Sequence, residues 1–429
     1  MQQHLSPTQS VAAGLRALPR TNKPFAATQA AWRFFANERV SLPLLAEPII
    51  NHAREISFVH SAHYSLVMHD FSDLKFTTHE HKKDRIRLCN NLKFGYFLQA
   101  GLLVSDISGE PLAPLYIGLE ATDGVQSSRR ETPLPRRRQL DELNRTFGYL
   151  ENLGLPTPCV HIFDRQADSL LHLRRFGKCR RKFVIRSNDV RRVRHQGVSK
   201  LLKEVEETLE DELKMVREIE HRGKKAWQYV AETTVILEQS GRTKQATASN
   251  PNKRKLIKGK PLELRLVISE VRDKQGKVLS TWRLWTNVAE QVKAEEIALW
   301  YYWRWKIESF FKLLKKGGQQ IEQWQQESAE AIAKRLLVVA QVCVLVWALA
   351  VSKEENTTEI RGFLISLSGR QMKRGVEYTA SALLVGMWQL LAIIDALERY
   401  TTAELREIAD EFLRLFGSES NFKDVKELV

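Results

Sequence analysis

The sequence predicts an α/β fold in which a mixed sheet carries helices on its faces. Three apolar, β-rich segments follow one another at residues 64–70, 94–106 and 111–121, and the turn ISGE joins the last two. A predicted helix then separates two further strands, with the three elements at 139–152, 158–164 and 182–187. A meander followed by a β-α-β unit is typical of a mixed sheet.

Composition and charge narrow the class of protein. Of the 429 residues, 43% are hydrophobic, which is enough for a packed core. The formal net charge of +15 predicts a polyanionic partner, nucleic acid first and an acidic membrane surface second. The cysteines form no CxxC pair, so neither a zinc ribbon nor a disulfide framework is predicted; they are Cys89, Cys159, Cys179 and Cys343.

No segment is predicted to be inserted in a membrane. The most apolar stretch, residues 336–351, is short for a membrane span and predicts a buried core helix. The N-terminal sequence MQQHLSPTQS has no hydrophobic signal core. We therefore expect a cytoplasmic protein.

The remaining segments predict helical ends and a second β-rich block. Residues 28–37 (TQAAWRFFAN) predict a helix, and the arginine-rich residues 122–138 predict a loop. A charged helix is predicted at 198–215, and a basic, mobile loop at 240–260. Three β-rich segments surround that loop, at 226–238, 262–271 and 278–288. From about residue 290 the pattern is helical.

Two aspartates end predicted strands and mark a candidate active site. Asp70 ends the first strand and Asp164 ends the fourth, and open α/β sheets place their chemistry at strand ends. Asp73 is the alternative to Asp70. We prefer Asp70 because it lies directly at the end of the apolar strand segment. Asp168 is predicted to cap the next helix.

A third carboxylate lies in the segment WYYWRWKIESFFKLLKKGGQQIEQW, residues 300–324. On one continuous helix, Tyr301, Arg304, Glu308 and Lys315 share one narrow stripe beside a broad apolar face. Such a stripe is either an ordinary salt-bridged surface or a metal-binding glutamate between two phosphate-binding cations.

Three carboxylates predict two-metal phosphoryl chemistry. Mg²⁺ prefers oxygen ligands, and two such ions can activate the attacking oxygen and stabilise the leaving one. Asp70, Asp164 and Glu308 are the predicted ligands, and we expect Mn²⁺ to substitute. Five of the eleven histidines lie close together in sequence, but their spacing fits no zinc motif and predicts an exposed polar loop; they are His60, His63, His69, His79 and His81.

The spacing Tyr-x2-Arg-x3-Glu-x6-Lys resembles the YREK signature of a family of DDE transposases. This is the insertion-sequence-four group from bacterial insertion sequences, which includes the Tn-five transposase. HDFSDL (69–74), FDRQADSLLHL (163–173) and FVIRS (183–187) also resemble the family's motifs. The similarity extends from about residue 28 to 325.

The resemblance implies a ribonuclease-H-like core interrupted by a β-rich insertion. The predicted regions are a helical N-terminal region that could contact DNA (1–60), the catalytic core (61–190 and 289–330), the insertion (191–288) and a helical C-terminal region that could dimerise (331–429). Compared with the Tn-five enzyme the N-terminal region is shorter, so we expect recognition of the terminal repeats to be weaker or missing. The C-terminal region is also abbreviated, so we expect dimerisation and synapsis to be weakened.

The resemblance also implies cut-and-paste transposition of an insertion sequence in the bacterial cytosol or nucleoid. The partners would be double-stranded DNA, as transposon-end inverted repeats and target DNA, and a second copy in a synaptic homodimer. Tyr301, Arg304, Lys315, Arg186 and Trp282 would contact DNA, Trp282 by stacking on a flipped base. The alternatives are a catalytically decayed DNA-binding relative and a ribonuclease-H-fold nuclease without strand transfer.

Overall fold

The computed structural model describes residues 24–88, 92–244, 254–315 and 319–416. The chain divides into two compact units. The larger unit contains the sheet and comprises Phe35–Leu314 and Gln326–Val351. The smaller unit comprises Met1–Phe34, Lys315–Gln325 and Ser352–Val429.

Two helices precede the first half of the sheet. In that half, the predicted strands and helices occur in the predicted order. The first elements are α1 (Pro24–Ala36), α2 (Leu42–His60), β1 (Ser65–Lys75), β2 (Ile86–Arg87), β3 (Phe94–Ser105), β4 (Pro111–Ala121), β5 (Gly124–Ser127) and β6 (Arg130–Leu134). They are followed by α3 (Gln139–Glu151), β7 (Cys159–Phe163), α4 (Leu170–Lys178) and β8 (Lys182–Arg186).

The second half of the chain completes the sheet and then becomes helical. Its first elements are β9 (Arg192–His195), β10 (Val198–Leu201), α5 (Leu202–Thr208), β11 (Lys214–His221), β12 (Lys224–Leu237), β13 (Gly241–Lys244), β14 (Arg254–Ile257), β15 (Leu262–Arg272) and β16 (Val278–Thr286). The helices that follow are α6 (Ala294–Tyr302), α7 (Trp305–Lys315), α8 (Ala329–Val351), α9 (Glu355–Ser368), α10 (Ala380–Leu397) and α11 (Thr402–Phe416).

The predicted mixed sheet is confirmed. β1 pairs antiparallel with β3 and parallel with β7, and β7 pairs parallel with β8. The resulting order is β4-β3-β1-β7-β8, with the meander on one side of β1 and the β-α-β unit on the other. Helices α3 and α4 cover one face, where Phe147 and Phe176 join an apolar core that also contains Trp285. β1 therefore joins the antiparallel meander to the β-α-β unit.

The β-rich block predicted at 191–288 continues the same sheet. β16 pairs antiparallel with β8, and β15, β12, β9 and β10 follow in order, which gives one 14-stranded sheet. Side chains strengthen the junction, because Thr286 Oγ1 donates to the carbonyl of Phe183 at 2.8 Å. Local sequence pattern shows that strands exist here, but the partner of each strand is decided by contacts distant in sequence.

Two predicted loops contain strands. The arginine-rich residues 122–138 contain β5 and β6. β5 pairs antiparallel with β4 on one side and with β6 on the other, so the predicted loop is wrong there. Residues at the two ends of the predicted loop at 240–260 pair as β13 and β14. Residues 245–253 of that loop lie outside the described residues. The charged helix predicted at 198–215 is short, since β10 and β11 occupy its two ends.

By length and composition alone, helix α8 could cross a membrane. However, 78% of its most apolar 18-residue stretch is buried inside the protein. The indole of Trp347 packs edge-on against Phe310, with ring centroids 5.6 Å apart. A buried core helix has the same composition as a membrane span, and the contacts of α8 match the predicted core helix. Within the described ranges, the cysteines are free.

The smaller unit contains α9, α10 and α11. A side chain at Gly386 would lie 1.8 Å from the carbonyl oxygen of Leu364, so the glycine lets α9 and α10 approach closely. A capping box begins α11: the amide of Thr401 donates to Glu404 Oε2 at 2.7 Å, and the amide of Glu404 donates to Thr401 Oγ1 at 3.2 Å.

Candidate active site

Asp70 and Asp164 lie just beyond the point where the pairing of the parallel strands β1 and β7 ends. The backbone pairing of β1 with β7 ends at Met68 and Ile162. Asp70 and Asp164 each follow that pair by two residues, so they lie level and on the same face of the sheet. β1 continues to Lys75, so the expectation that Asp70 ends its strand is wrong.

The alternative carboxylate, Asp73, lies on the other face. Side chains alternate along a strand, so Asp73 shares a face with His69 and not with Asp70. Asp70 is therefore the β1 aspartate that shares a face with Asp164. The preference for Asp70 is kept, but its reason is the alternation of the strand and not the strand's end.

The helical segment that carries the glutamate is broken. The sequence predicts one continuous helix from residue 300 to the glycines at 317 and 318, but the helix is interrupted at Trp303 and Arg304, between α6 and α7. At the break, the amide of Arg304 donates to the carbonyl of Tyr301 at 3.1 Å, which is the tighter bond of a 3₁₀ turn. Tyr301 and Glu308 lie on different helices, so the single helical stripe predicted for the four polar residues is wrong.

Arg304 joins two of the three carboxylates. Its Nη1 donates to Asp70 Oδ2 at 3.3 Å, and its Nη2 donates to Glu308 Oε1 at 2.9 Å. The Arg304 side chain is 8% exposed, against 17% for Asp70 and 30% for Glu308. The indole of Trp305 covers the guanidinium at 5.0 Å. A buried cation thus connects residues 70 and 308, which are distant in the chain.

The negative charge of this site exceeds what Arg304 neutralises. Burial raises the pKa of Asp70 to about 6; Arg304 and the amide of Phe71 lower it, and the charges of Asp164 and Glu308 raise it further. Burial lowers the pKa of Arg304, but Tyr301 and the two carboxylates raise it more, so its net shift is upward. The site therefore favours additional positive charge.

Arg186 and Trp282 each contact Tyr301, which lies near Asp164. Burial raises the pKa of Tyr301, with Arg304 and Arg186 opposing the shift and Asp164 adding to it; Arg186 also hydrogen-bonds the phenol. The ring of Trp282 meets that of Tyr301 edge-on, with centroids 5.4 Å apart. Trp282 is 4% exposed and Tyr301 is 3% exposed. In this arrangement Trp282 is a packed side chain, and its base-stacking role stays a prediction.

Lys315 and Asp168 each lie close to a side chain of opposite charge. Lys315 is the last residue of α7, and its Nζ lies 3.8 Å from Oε1 of Glu322 within the smaller unit. Asp168 does not cap α4, because its Oδ2 accepts from the amide of Asn188 at 2.7 Å and pairs with Arg191 at 2.9 Å. Asp168 therefore holds the loop after β8.

The donor set suits a hard divalent ion, although the side chains are not closed around one. Across the described parts of the chain, no three His, Cys, Asp or Glu side chains are grouped closely enough to hold a metal ion. The guanidinium of Arg304 lies between Asp70 and Glu308, and Oδ1 of Asp164 accepts from the amide of Gln166 at 2.8 Å. Carboxylate oxygens with excess negative charge are the ligands that Mg²⁺ prefers.

Sequence reasoning missed a pair of histidines behind the site. His69 lies in β1 with 1% exposure, so its assignment to an exposed polar loop is wrong. Its Nε2 lies 3.0 Å from Nδ1 of His161 on β7, and one ring donates to the other. The signal was available, because His161 lies between Val160 and Ile162 in a predicted strand and His69 directly follows the apolar residues 66–68 of another.

Comparisons with known proteins show only distant structural similarity to solved structures. No family model matches the sequence, and no curated protein matches it. The chain is similar to the piggyBac transposase in a synaptic complex with hairpin DNA, at 10% identity and a TM-score of 0.31. The similarity covers 83% of this chain and 59% of that chain, so this chain spans less than two thirds of its length. Such weak similarity carries no argument about function.

Proposed function

We propose that this chain is a DDE transposase that cuts and joins DNA at the site formed by Asp70, Asp164 and Glu308. The observation that carries the proposal is the bridge from Asp70 through Arg304 to Glu308, beside Asp164 on the neighbouring strand. A site of three carboxylates and a cation on one face of a mixed sheet matches the predicted chemistry. The net charge of +15 supports a DNA partner.

The strand order supports the finer proposal of a ribonuclease-H-like core. A three-stranded antiparallel meander, whose first strand pairs parallel with β7 and then β8, is the arrangement the resemblance implies. The two aspartates lie on the adjacent strands β1 and β7, and the glutamate lies on a helix after the β-rich block. We propose that the block at 191–288 is the family's insertion, here joined to the same sheet.

The site residues have distinct proposed roles. Asp70, Asp164 and Glu308 would hold two Mg²⁺ ions, which Mn²⁺ can replace. The ions would activate the attacking oxygen and stabilise the leaving oxygen. Arg304 would exchange its carboxylate partners for a backbone phosphate, which bidentate guanidinium groups bind well. Arg186 and Lys315 would bind phosphates.

The proposed biological setting follows from the same family. The substrates would be the inverted repeats at the ends of an insertion sequence and the target DNA, in the bacterial cytosol or nucleoid. Cut-and-paste transposition would take place in a synaptic homodimer, where the paired complex licenses cleavage. Trp282 would have to leave its packing against Tyr301 to stack on a flipped base.

The test is a cleavage and strand-transfer assay with the purified chain, Mg²⁺ and DNA that carries the inverted repeats flanking its gene. Joined product is expected. Cleavage without joining would indicate a nuclease, and binding without cleavage would indicate a decayed relative. Glu308→Gln should abolish cleavage and retain DNA binding, whereas Glu290→Gln at an exposed position should change neither. Cleavage by Glu308→Gln at the wild-type rate would contradict the assignment.

A further inference from the structure

The two strands that carry the aspartates lose their backbone pairing just before the site. β1 and β7 pair from Ser65–Cys159 to Met68–Ile162, and Asp70 and Asp164 lie beyond the last pair. Backbone pairing between β1 and β7 therefore ends two residues before the two carboxylates.

On the face of the sheet opposite Asp70 and Asp164, side-chain contacts connect β1 and β7 beyond the last backbone pair. The residues that immediately precede the aspartates are His69 and Phe163, and their rings stack with centroids 4.4 Å apart and planes 11° apart. His69 also hydrogen-bonds His161 at 3.0 Å. His161 in turn stacks on Phe147 of α3, with centroids 3.8 Å apart and planes 7° apart.

The histidine pair is enclosed and anchored. His69 pairs in register with Gly101 on β3, where a side chain would lie 3.6 Å from the imidazole. His161 is fully buried, and its Nε2 lies 3.8 Å from Oε1 of Glu151 at the end of α3. Glu151 is held by Arg181, whose Nε donates to Oε2 at 3.2 Å. The rings of His69 and His161 are thus fixed by β3 on one side and α3 on the other.

We propose that His69 is a positioning residue, which holds Asp70 and Asp164 at a fixed separation by its stack on Phe163 and its hydrogen bond to His161. This rests on the proposed function, since it concerns the same carboxylates. The chemistry requires ligands placed within about half an ångström. A ring stack one residue before each aspartate supplies that rigidity without occupying the catalytic face.

The test measures Mn²⁺ affinity, by electron paramagnetic resonance of the free ion, in the full chain without DNA. His69→Ala removes both contacts and is expected to weaken Mn²⁺ binding about tenfold, the usual effect of losing a group that orients metal ligands. His69→Phe keeps a ring over Phe163 and should recover part of the loss. If His69→Ala does not fold, Phe163→Leu removes the stack from the other strand, with the same expected loss.

The matched control is His195→Ala. His195 is also buried in the sheet and is bonded through one ring nitrogen, to Thr233 Oγ1 at 3.0 Å, but five strands separate β9 from β1. His195→Ala should lower thermal stability as His69→Ala does, with unchanged Mn²⁺ affinity. Equal affinities for His69→Ala and His195→Ala would overturn the positioning role.

Glu308→Gln separates failure of this inference from failure of the proposed function. If Glu308→Gln weakens Mn²⁺ binding and His69→Ala does not, the metal site stands and the positioning role fails. If Glu308→Gln leaves Mn²⁺ binding unchanged, the three carboxylates are not the metal site, and both proposals fail.

Discussion

The indole of Trp303 lies directly over Gly109, at the turn between β3 and β4. A side chain at Gly109 would lie 2.3 Å from Cε2 of Trp303, and the glycine has a φ of +71°. Next to this contact, Lys306 Nζ lies 3.0 Å from Oε1 of Glu110. The start of the helix that carries Glu308 is therefore attached to the β3–β4 turn, which places Arg304 above β1.

Gly109→Ala should displace Trp303 and with it Arg304. The added methyl group has no space, and alanine disfavours a positive φ, so we expect a loss of about 2 to 4 kcal/mol in the free energy of unfolding. Gly276→Ala is the control, because Gly276 has a φ of +80° and open space around it. Its loss should be about 1 to 2 kcal/mol, from the backbone alone. Equal losses in denaturant titrations would show that the Trp303 contact contributes nothing.

Asp70→Asn should stabilise the metal-free protein at neutral pH. The carboxyl has a pKa of about 6 in the folded chain against an ordinary 3.8, so between these pH values the folded chain binds more protons than the unfolded chain. The free energy of unfolding thus falls as pH rises from about 4 to 6, by up to about 3 kcal/mol. Asparagine removes this penalty.

The advantage of Asp70→Asn over wild type should be largest at pH 7 and disappear below about pH 4, where both side chains are neutral. Thermal unfolding in a chelating buffer across this range is the measurement. Asp211→Asn, at an exposed position, should show little change. A lower stability of Asp70→Asn at pH 7 would argue against a desolvated carboxylate at this position.

Arg304→Gln should destabilise the metal-free protein and make it depend on divalent ions. It leaves Asp70 and Glu308 partly buried without their cation, at a cost of about 1 to 3 kcal/mol, because protonation of Asp70 relieves part of the penalty. Added Mg²⁺ should then raise the melting temperature more in this variant than in wild type. The control Arg136→Gln breaks a pair with Glu120 in which the arginine is 48% exposed, and should cost less than about 1 kcal/mol.

Arg186→Ala should weaken DNA binding and make it less dependent on salt. Arg186 lies at the end of β8 beside Tyr301, and loss of one phosphate contact reduces the slope of log affinity against log salt by about 1. Fluorescence anisotropy at several salt concentrations measures this slope. Arg194→Ala is the control, because Glu238 pairs with Arg194 on β9. An unchanged slope for Arg186→Ala would remove Arg186 from the DNA interface.

The sequence by itself determined the strands of the first half of the chain and the carboxylates of the candidate site. Alternating or continuous apolar segments identified β1, β3, β4, β7 and β8, because side-chain periodicity is a local property. The order of these strands predicted the mixed sheet. The spacing around Glu308 drew attention to Arg304, whose contacts with Asp70 and Glu308 then appeared in the structure.

Only the tertiary structure decided how these parts meet. The break at Trp303 and Arg304 has no local signal, since the segment suits a continuous helix, and it coincides with the packing of Trp303 on Gly109. Pairing of β16 with β8 joined the predicted β-rich insertion to the sheet of the first half of the chain. The stack of His69 on Phe163 depends on the register of β1 with β7, which residues distant in the chain determine together.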